Sequence, residues 1–367
     1  MSSGLKNGKR SLGVSKTIRR AMLCKEINIL AFESSCDDTS VALLRACEGD
    51  EFPKLISLSV QSQQEVHEKY GGVVPDLASR AHLRNLLPCL KKVLDESKIN
   101  LSDVDLMAST HQPGLIGCLL IGHSAAKALS FLYDKPLLSC HHIEGHLMSV
   151  FLEHRPAYPL LAAVVSGGHT SLYLAKNHDD FEKLGVTLDD AIGEAFDKGA
   201  KVLGLPFPGG PEIDRLAKEG NPTRYKFGKV QTKNLDFSFS GHKSELVRLV
   251  QREGENLHHA DAAASYQKAL IDHLMDKIEI AIKSHSVRDL AIVGGVARNS
   301  ELRLRLEELK NKNSISQWYA PSAQFCTDNA AMIGVLAYRK YLRKEFSNLS
   351  EDVHSTFRPN SKKKKIA

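Results

Sequence analysis

Two segments of the chain repeat the same order of apolar and polar positions. In "INILAFESSCDDTSVALLRA" (27–46), an apolar run ends in a short polar turn and a second, alternating run follows. In "LLAAVVSGGHTSLYLAK" (160–176), a similar pair of runs is joined by a turn with two glycines. Apolar runs of this length, bounded by turn residues, are typical of β-strands. Each segment is therefore predicted to be a β-hairpin.

A strand, a helix and a second strand are predicted further along the chain after each hairpin. They cover 105–110, about 115–132 and 136–140 in the first half, and 289–295, about 299–310 and 316–320 in the second. Strands that alternate with helices indicate an α/β fold. We therefore expect two α/β lobes of similar design, each opening with a hairpin whose polar tip faces the other lobe. Two unrelated α/β domains are the alternative.

The composition is that of a globular protein. Of the 367 residues, 42% are hydrophobic and 25% are charged, and this length suits two domains. No uninterrupted apolar run approaches the roughly 18–20 residues that cross a bilayer, so we expect a soluble protein with no membrane partner. The 7 cysteines are odd in number and form no C-x-x-C pair, which argues against a disulfide framework and favours a reducing compartment.

The net charge of +6 comes from the two ends of the chain. Residues 1–25 carry seven Lys and Arg and no acid, and residues 354–367 carry five and no acid, so the part between them has a net charge of −6. Any contact with RNA must therefore come from local patches or from the tails.

The basic, serine-containing and acid-free segment 1–25 is predicted to be a mitochondrial transit peptide, which would direct the protein to the matrix. A disordered basic tail is the alternative. Residues 26–155 plus 329–345 are predicted to form lobe I, and residues 156–328 lobe II. Residues 346–367, which contain four consecutive lysines, are predicted to be a solvated basic tail.

The stretch "HHIEGH" (141–146) contains a candidate metal site. One residue advances an α-helix by about 100°, so His142 and His146 would lie about 40° apart on one face, as two metal ligands require. Glu144 would point about 200° away from His142, whereas the glutamate of an H-E-x-x-H protease directly follows the first histidine and acts as general base. The spacing therefore excludes that protease site. Two histidines hydrogen-bonded between the lobes are the alternative to metal binding.

Asp328 is the candidate third ligand. It lies in a Thr-Asp-Asn turn before a predicted helix, where Thr327 or Asp328 can equally be the N-cap. Two imidazoles and one carboxylate would leave coordination positions open for substrate on Fe²⁺ or Zn²⁺.

Two glycine-containing turns are candidates for binding a phosphate. "VSGGHT" (165–170) joins two predicted strands, and "VGGVARN" (293–299) lies between a strand and a helix N-terminus. Glycines let backbone N–H groups approach a phosphate, and a helix N-terminus attracts anions, although hairpins also use glycine for turn geometry alone. Neither turn matches G-x-G-x-x-G or the P-loop, which disfavours those nucleotide sites.

Three acidic residues lie at positions where they can bind a ligand or simply face solvent. Asp37 and Asp38 follow Cys36 at the tip of the first hairpin and can orient a metal or a phosphate. Asp197 lies in a predicted helix and can accept hydrogen bonds from ribose hydroxyls.

Taken together, ten ordered blocks of the sequence resemble the TsaD family of tRNA threonylcarbamoyltransferases, once called O-sialoglycoprotein endopeptidases. The resemblance runs from about Ile27 to Arg343. The blocks are "ESSCDDTSVA", "YGGVVPDLASRAHLRN", "PGLIGCLLIG", "HHIEGHL", "VVSGGHTSLYL", "DDAIGEAFDKGAKVLGL", "PGGPEID", "LDFSFSGHK", "GGVARNSELR" and "FCTDNAAMIG". The "VVPDLASRAHLR" block is similar to the bacterial and organellar branch rather than to the cytosolic KEOPS subunit.

The resemblance implies an actin-like, Hsp70-type and RNase H-like fold, with a nucleotide and a metal between two lobes. It implies one divalent ion per subunit, Fe²⁺ or Zn²⁺, on His142, His146 and Asp328. The residues that it implies for binding threonylcarbamoyl-AMP are Val164, Val165, Ser166, Gly167, Gly168, Asp197, Gly210, Asp214 and Asn299.

The implied reaction transfers the threonylcarbamoyl group from threonylcarbamoyl-AMP to N6 of adenosine 37 in ANN-decoding tRNAs, here mitochondrial ones. A separate synthase would supply the adenylate, and the protein would be a homodimer. No residue is assigned as catalytic, although Asp37 or Asp38 can take the N6 proton. Gln112 stands where the family usually has glycine and Ser34 where it usually has threonine. If Gln112 forces a different φ, weaker nucleotide binding is expected.

Three other functions fit parts of the pattern. An ATPase or kinase of the same superfold is the main alternative, because a fold does not fix a reaction. It would need Mg²⁺ but not two metal-binding histidines. A metalloprotease is disfavoured by the position of Glu144, and a non-catalytic scaffold subunit by the presence of all three candidate metal ligands.

Overall fold

The computed structural model describes residues 25–356, whose strands form two five-stranded mixed sheets. The strands of sheet A are β1 (Glu26–Glu33), β2 (Asp38–Cys47), β3 (Lys54–Ser62), β4 (Leu106–Gln112) and β5 (Leu137–His141). Their order is β3-β2-β1-β4-β5, with β1 antiparallel to β2 and parallel to β4.

Sheet B repeats this topology. Its strands are β6 (Leu160–Val165), β7 (Thr170–Asn177), β8 (Asp180–Val186), β9 (Asp289–Val293) and β10 (Gln317–Tyr319). Their order is β8-β7-β6-β9-β10, with β6 antiparallel to β7 and parallel to β9. Each sheet thus has the order third, second, first, fourth, fifth. The repeated order confirms the predicted pair of similar α/β lobes.

Each lobe has a third strand that the sequence pattern did not predict. β3 and β8 both lie at the edge of their sheet, where a strand is solvated on one side. In β8 only Gly185 is buried. An edge strand with so few buried positions lacks the apolar alternation by which strands are recognised.

Helices cover both faces of each sheet. They are α1 (Gln64–Glu68), α2 (Pro75–Ser97), α3 (Ile116–Tyr133), α4 (His142–Ser149), α5 (Ile192–Val202), α6 (Gly209–Ala217), α7 (Ser240–Glu253), α8 (His259–His285), α9 (Ser300–Asn311), α10 (Ala323–Cys326) and α11 (Ala330–Leu342). α2 and α3 pack on the outer face of sheet A. α5, α6, α8 and α9 pack on the outer face of sheet B.

A shared apolar layer lies between the two sheets. The inner faces of both sheets, α4 and α11 contribute to one buried cluster. Successive side chains of β6 point in turn to this shared layer and to the outer core of sheet B, as the two-residue period of a strand requires. The lobes are therefore held together by a common core.

One helix, α3, is long and apolar enough to cross a membrane by length and composition alone. The core helix of a soluble protein passes the same test, and α3 buries Cys118, Leu119 and Ala126. The expectation that no membrane is involved stays a prediction.

The chain after α11 is bound to lobe I. Residues 345–356, which we name the strap, pair with β5 through an antiparallel bridge between Leu137 and Ser347. The predicted basic tail 346–367 thus begins with a bound segment. Residues 1–24, with nearly all of the predicted transit peptide, and residues 357–367 lie outside the described part.

Five described cysteines are free, but Cys47 is disulfide-bonded, which the expectation of a reducing compartment did not include.

Candidate active site

The candidate site residues gather where parallel strands end. β1 ends at Glu33, β5 at His141, β6 at Val165 and β9 at Val293. The carboxyl ends of parallel strands meet at one edge of a sheet, and α/β proteins bind ligands there. The turns after β6 and β9 are in contact at Gly294 and Val165, and the turn after β6 brings His169 close to His142, which follows β5.

Helix α4 begins directly after β5 and carries two of the candidate metal ligands. The side chain of His141 is its N-cap, with Nδ1 accepting from the backbone N–H groups of Ile143 (3.2 Å) and Glu144 (3.4 Å). His142 follows as the first helical residue, and His146 lies one turn later. His141 therefore acts as the N-cap of α4, and it does not belong to the group of possible metal ligands in the described part of the chain.

The structure brings His142, His146 and Asp328 together. Nε2 of His146 lies 3.1 Å from Oδ1 of Asp328, and Nε2 of His142 lies 3.4 Å from the same oxygen. All candidate ligand atoms lie within 4.8 Å of one another. His146 is fully buried and His142 is 4% exposed. The three predicted residues form a possible metal site.

Asp328 is not the N-cap of the following helix. That position belongs to Asn329, whose Oδ1 accepts from the backbone N–H of Met332 at 3.1 Å. The capping alternative for Thr327 or Asp328 is therefore wrong, and the Asp328 carboxylate points to the histidines instead. Glu144 is exposed, as the helical spacing predicted, and does not join them.

A fourth polar residue of this cluster, Glu33, was missed by the sequence analysis. Its carboxylate is fully buried and lies 3.0 Å from Nδ1 of His142. It also accepts from Thr110 Oγ1 (2.6 Å) and from the backbone N–H of Ser35 (2.6 Å). A charged residue at the end of the apolar strand "INILAFE" was the available signal, since an acid is rarely buried without a partner.

The charges of this cluster fit a divalent cation. Burial would lower the pKa of His142, but the carboxylates of Asp328 and Glu33 hold that pKa well above its ordinary value. Burial would likewise raise the pKa of Asp328 and of Glu33, but the histidine contacts keep both values low. A protonated His142 leaves one carboxylate charge unbalanced. A divalent ion bound to neutral histidines would balance both carboxylates and displace that proton.

The first glycine turn of lobe II lies close to the candidate metal ligand His142. In the turn between β6 and β7, the backbone N–H of Ser166 donates to the carbonyl of His169 at 2.9 Å. The ring of His169 lies 6.2 Å from the ring of His142. Burial, reinforced by the two metal-ligand histidines, lowers the pKa of His169 to about 4, so it is neutral at pH 7. His169 also escaped the sequence analysis.

The second glycine turn packs against the first. Gly294 has a φ of +100°, and a Cβ there would lie 2.6 Å from the carbonyl oxygen of Val165. Glycine is therefore required at this position both for its backbone conformation and for space. Val164 and Val165 themselves have buried side chains, so only their backbone can contact a ligand. The two predicted phosphate turns form one surface.

The remaining predicted adenylate residues already have structural partners. Oδ1 of Asp197 accepts from the backbone N–H of Gly209 at 2.7 Å, at the N-terminus of α6, where Gly210 follows. Asn299 is the N-cap of α9, with Oδ1 accepting from Leu302 N at 3.0 Å.

Asp214 joins the same network. Its Oδ1 accepts from Ser300 Oγ at 2.7 Å and lies 3.3 Å from Nδ2 of Asn299. Nδ2 of Asn299 also donates to Gln267 at 2.8 Å. Binding of the adenylate by Asp197, Gly210, Asp214 and Asn299 stays a prediction, and these bonds show how the fold fixes their positions.

The acids of the first hairpin are half-buried rather than freely solvated. Burial, followed by the charges of Asp328 and Asp37, raises the pKa of Asp38 to about 7. Burial and Asp328 also raise the pKa of Asp37. The negative charge of Asp328 therefore acts on both carboxylates.

Valine at Gly168 or at Gly295 is expected to weaken binding of threonylcarbamoyl-AMP by tenfold or more while the protein folds normally. A Cβ at either position meets no protein atom within 4 Å, so the side chain would occupy the space that a phosphate needs. The Gly294→Ala control should instead lower the melting temperature. Calorimetry and thermal unfolding separate the two effects. Unchanged binding by both valine variants would contradict a phosphate site here.

Comparisons with known proteins decide the family. The family model for TsaD, tRNA N6-adenosine threonylcarbamoyltransferase, matches residues 54–335. The chain is 43% identical to the tRNA N6-adenosine threonylcarbamoyltransferase of Christiangramia forsetii, over 91% of this chain and 99% of that protein. The chain belongs to the TsaD family. It is also 46% identical to the protein of the same name from Thermodesulfovibrio yellowstonii, over 88% of this chain and 96% of the relative. TsaD proteins are thus named as transferases, which confirms the enzyme class expected from the resemblance.

Solved structures support the fold. The HypF protein of T. kodakarensis matches 88% of this chain and 49% of its own, with a TM-score of 0.57 and 15% identity. Component A of (R)-2-hydroxyglutaryl-CoA dehydratase from Acidaminococcus fermentans matches 86% of this chain and 99% of its own, with a TM-score of 0.50 and 15% identity. With the duplicated sheets, these likenesses support the actin-like arrangement of two lobes expected for a TsaD protein.

The two departures from the usual TsaD pattern are accommodated locally. Gln112 is buried and its φ is not positive, so the backbone does not adopt a conformation that favours glycine. Ser34 Oγ donates to the carbonyl of Cys118 at 2.8 Å and accepts from the backbone N–H of Gly122 at 3.1 Å. Ser34 thus ties β1 to α3 with its hydroxyl alone.

Proposed function

We propose that the protein transfers the threonylcarbamoyl group from threonylcarbamoyl-AMP to N6 of adenosine 37 in ANN-decoding tRNAs. One observation carries the proposal beyond family membership. The candidate metal ligands on α4 and the glycine turn of lobe II lie close together, with 6.2 Å between the ring centres of His142 and His169. An acyl-adenylate has a phosphate and a carbonyl next to each other, so it needs both parts of such a site.

The roles of the residues follow from their positions. His142, His146 and Asp328 would hold the divalent ion, Fe²⁺ or Zn²⁺, which when bound would polarise the carbamate carbonyl. The backbone N–H groups of the turn at Gly167 and Gly168 would bind the AMP phosphate. N6 of the adenosine would attack the carbamoyl carbon, the bond to the phosphate oxygen would break, and AMP would leave.

Asp38 is the better of the two candidate bases for the N6 proton, because burial and the charges of Asp328 and Asp37 raise its pKa to about 7 in the metal-free protein. A divalent ion on Asp328 would offset the charge of that carboxylate and lower this pKa, so we expect the transfer rate of the metal-loaded enzyme to rise with pH below 7, since the ionised form is the base. Asp38→Asn should abolish this rise and lower the rate by roughly 10²–10⁴-fold. Folding favours the protonated form of Asp38, so the metal-free wild-type protein should lose the stability that Asp38 contributes as pH rises from about 4 to 7. If the transfer rate becomes independent of pH in Asp37→Asn and not in Asp38→Asn, Asp37 is the base.

Reconstitution tests the proposed reaction. Purified protein, threonylcarbamoyl-AMP and an unmodified ANN-decoding tRNA should yield N6-threonylcarbamoyladenosine, measured by mass spectrometry of the digested tRNA. ATP hydrolysis without tRNA modification would favour the ATPase or kinase. Metal-dependent cleavage of a glycoprotein without modification would favour the protease.

We further propose that the protein acts in the mitochondrial matrix on mitochondrial tRNAs. The basic, acid-free composition of residues 1–25 supports this location. A reporter fused to residues 1–25 is expected to enter mitochondria, and a fusion with its five arginines and lysines between residues 6 and 19 changed to glutamine is expected to remain outside. A wild-type fusion that stays in the cytosol would contradict the location.

The proposed assembly is a homodimer supplied by a separate threonylcarbamoyl-AMP synthase. Large apolar side chains exposed on α2 and α3, among them Leu87 (69%) and Phe131 (78%), support an interface on the outer face of lobe I. Sedimentation equilibrium should give twice the monomer mass. Omission of the synthase should abolish tRNA modification only when threonylcarbamoyl-AMP is not added directly.

A further inference from the structure

A long connection in lobe II forms neither a helix nor a strand. Residues 218–239 link α6 to α7, and connections longer than about 12–15 residues without secondary structure are usually either functional or disordered. This one is anchored on α8. Ser265 Oγ donates to the carbonyl of Asn221 at 3.3 Å, and the buried Lys277 donates through Nζ to the carbonyl of Asn234 at 2.7 Å. The connection is therefore fixed near both of its ends.

The anchored part of this connection is basic. We name residues 221–235 the basic loop, because this stretch contains no acid, whereas residues 26–353 together carry a net charge of −6. Any contact between this acidic body and RNA has to come from a local cationic patch. The exposed cations of the basic loop are Arg224, Lys226, Lys229 and Lys233.

Aromatic side chains set the direction in which the first cations point. Tyr225 and Phe227 alternate with Arg224 and Lys226 along the chain, and both rings pack, partly buried, against the core of lobe II. The ring of Phe227 lies 5.8 Å from the ring of Tyr266. Because the aromatic side chains take the inward positions, the cations between them face solvent. The rings thus anchor the loop, and the cations form its outer surface.

Three lysines of the basic loop are available to an anion. Neither Lys226 nor Lys233 makes a side-chain hydrogen bond or an ion pair within the described part of the chain. Lys229 pairs with Asp276 at 3.2 Å, but its side chain is 84% exposed. Exposed ion pairs contribute little to stability, so Lys229 can exchange this carboxylate for a phosphate at small cost.

The basic loop ends beside the candidate active site. A tight turn follows Lys233, in which the backbone N–H of Asp236 donates to the Lys233 carbonyl at 3.2 Å. The next residue, Phe237, forms a parallel bridge with Thr187, whose backbone N–H donates to the carbonyl of Thr170 at 2.9 Å. Thr170 is the last residue of the glycine turn "VSGGHT". Two backbone contacts therefore join the end of the basic loop to the predicted phosphate turn.

We propose that Lys226, Lys229 and Lys233 bind the phosphate backbone of the tRNA substrate. This inference rests on the proposed function, which requires a tRNA beside the glycine turn. RNA is favoured over an anionic membrane because the loop adjoins the site where the adenosine must react. Contacts with phosphates specify no sequence, so the loop should strengthen binding of all substrate tRNAs alike.

The test changes Lys226, Lys229 and Lys233 to glutamine in the full chain and measures binding of labelled, unmodified tRNA by fluorescence anisotropy. The Kd is expected to rise roughly tenfold or more, and the slope of log affinity against log salt should fall by about two to three, at ~0.7–0.9 per lost phosphate contact. The affinity for threonylcarbamoyl-AMP and the melting temperature should match those of the wild type. The corresponding triple arginine variant keeps the charge and should bind tRNA as the wild type does.

Lys176, Lys283 and Lys312 provide a matched control in the same lobe. All three are exposed. They lie near the end of β7, near the end of α8 and directly after α9, which places them at the end of lobe II away from the glycine turns. Glutamine at these three positions removes the same charge and should leave the Kd for tRNA unchanged.

Binding and transfer are measured separately, so the possible outcomes separate this inference from the proposed function. Loop-dependent binding of tRNA by a wild-type protein that forms no modified nucleoside would contradict only the proposed function. If the wild type modifies tRNA and the glutamine variant binds tRNA as tightly as the control variant does, the basic loop does not bind tRNA.

Three further results would also overturn the inference. Weaker tRNA binding in the arginine variant, or a lower melting temperature in the glutamine variant, would assign the lysines a structural role. Weaker binding with an unchanged salt slope would exclude contacts with phosphates. Loop-dependent binding to vesicles of anionic lipid, with unchanged affinity for tRNA, would assign the loop to a membrane.

Discussion

Replacing Asp328 by alanine is expected to remove most of the bound metal and to lower the transfer rate by on the order of 10³-fold, since Lewis-acid catalysis supplies several kcal/mol. Both Nε2 atoms of the histidine pair approach the same Asp328 oxygen, at 3.1 and 3.4 Å. Alanine would leave two imidazoles and one distant carboxylate, which is a poor site for Fe²⁺ or Zn²⁺. Elemental analysis of the purified variant measures the loss.

The variants His146→Ala and Glu144→Gln complete this experiment. His146 is buried in the cluster, whereas Glu144 is exposed on the same short helix. The first should behave as Asp328→Ala, and the second should keep both metal and activity. Full metal stoichiometry in Asp328→Ala would show that the third ligand is another residue.

Replacing Glu33 by glutamine is expected to weaken metal binding by roughly 10–100-fold although every candidate ligand remains. The Glu33 carboxylate accepts from Nδ1 of His142, which keeps the proton on that nitrogen and turns Nε2 toward Asp328. Nδ1 of His146 has no hydrogen-bond partner in the described part of the chain, so of the two histidines it is His142 that has a second carboxylate, on the ring nitrogen away from Asp328. Glutamine keeps one acceptor oxygen but loses the charge.

Glu33→Ala should also destabilise the fold, because the buried donors Ser35 N and Thr110 Oγ1 would lose their acceptor. Each unsatisfied donor should lower the free energy of unfolding by about 1–3 kcal/mol. The matched control is Glu26→Gln at the other end of β1, where the side chain pairs with Arg45 at 3.3 Å near the surface. Competition with a chelator gives the metal affinity, and thermal unfolding gives the stability. A Glu33→Gln protein that is less stable but binds metal with unchanged affinity would reduce Glu33 to a structural role.

Much of the fold could be predicted because its central strands are continuous apolar runs. The first hairpin, expected at 27–46, consists of Glu26–Glu33 and Asp38–Cys47, and the helix expected at about 115–132 is Ile116–Tyr133. The two strands of the hairpin are buried on both faces, so the local sequence carries their signal. The edge strand β8 could not be predicted in this way, because its pairing with β7, rather than its own burial, makes it a strand. β3 does carry an alternation of Ile56, Leu58 and Val60 with polar residues, a signal that the sequence analysis did not use.

The sequence by itself determined the family, the two-lobe plan and the identities of the three candidate metal ligands. It could do so for His142 and His146 because one helical turn brings them to the same face. Only the tertiary structure placed Asp328 beside them, made Asn329 the helix cap, and buried Glu33 behind His142. Contacts between residues far apart in the chain depend on how whole elements pack, and no local pattern records that.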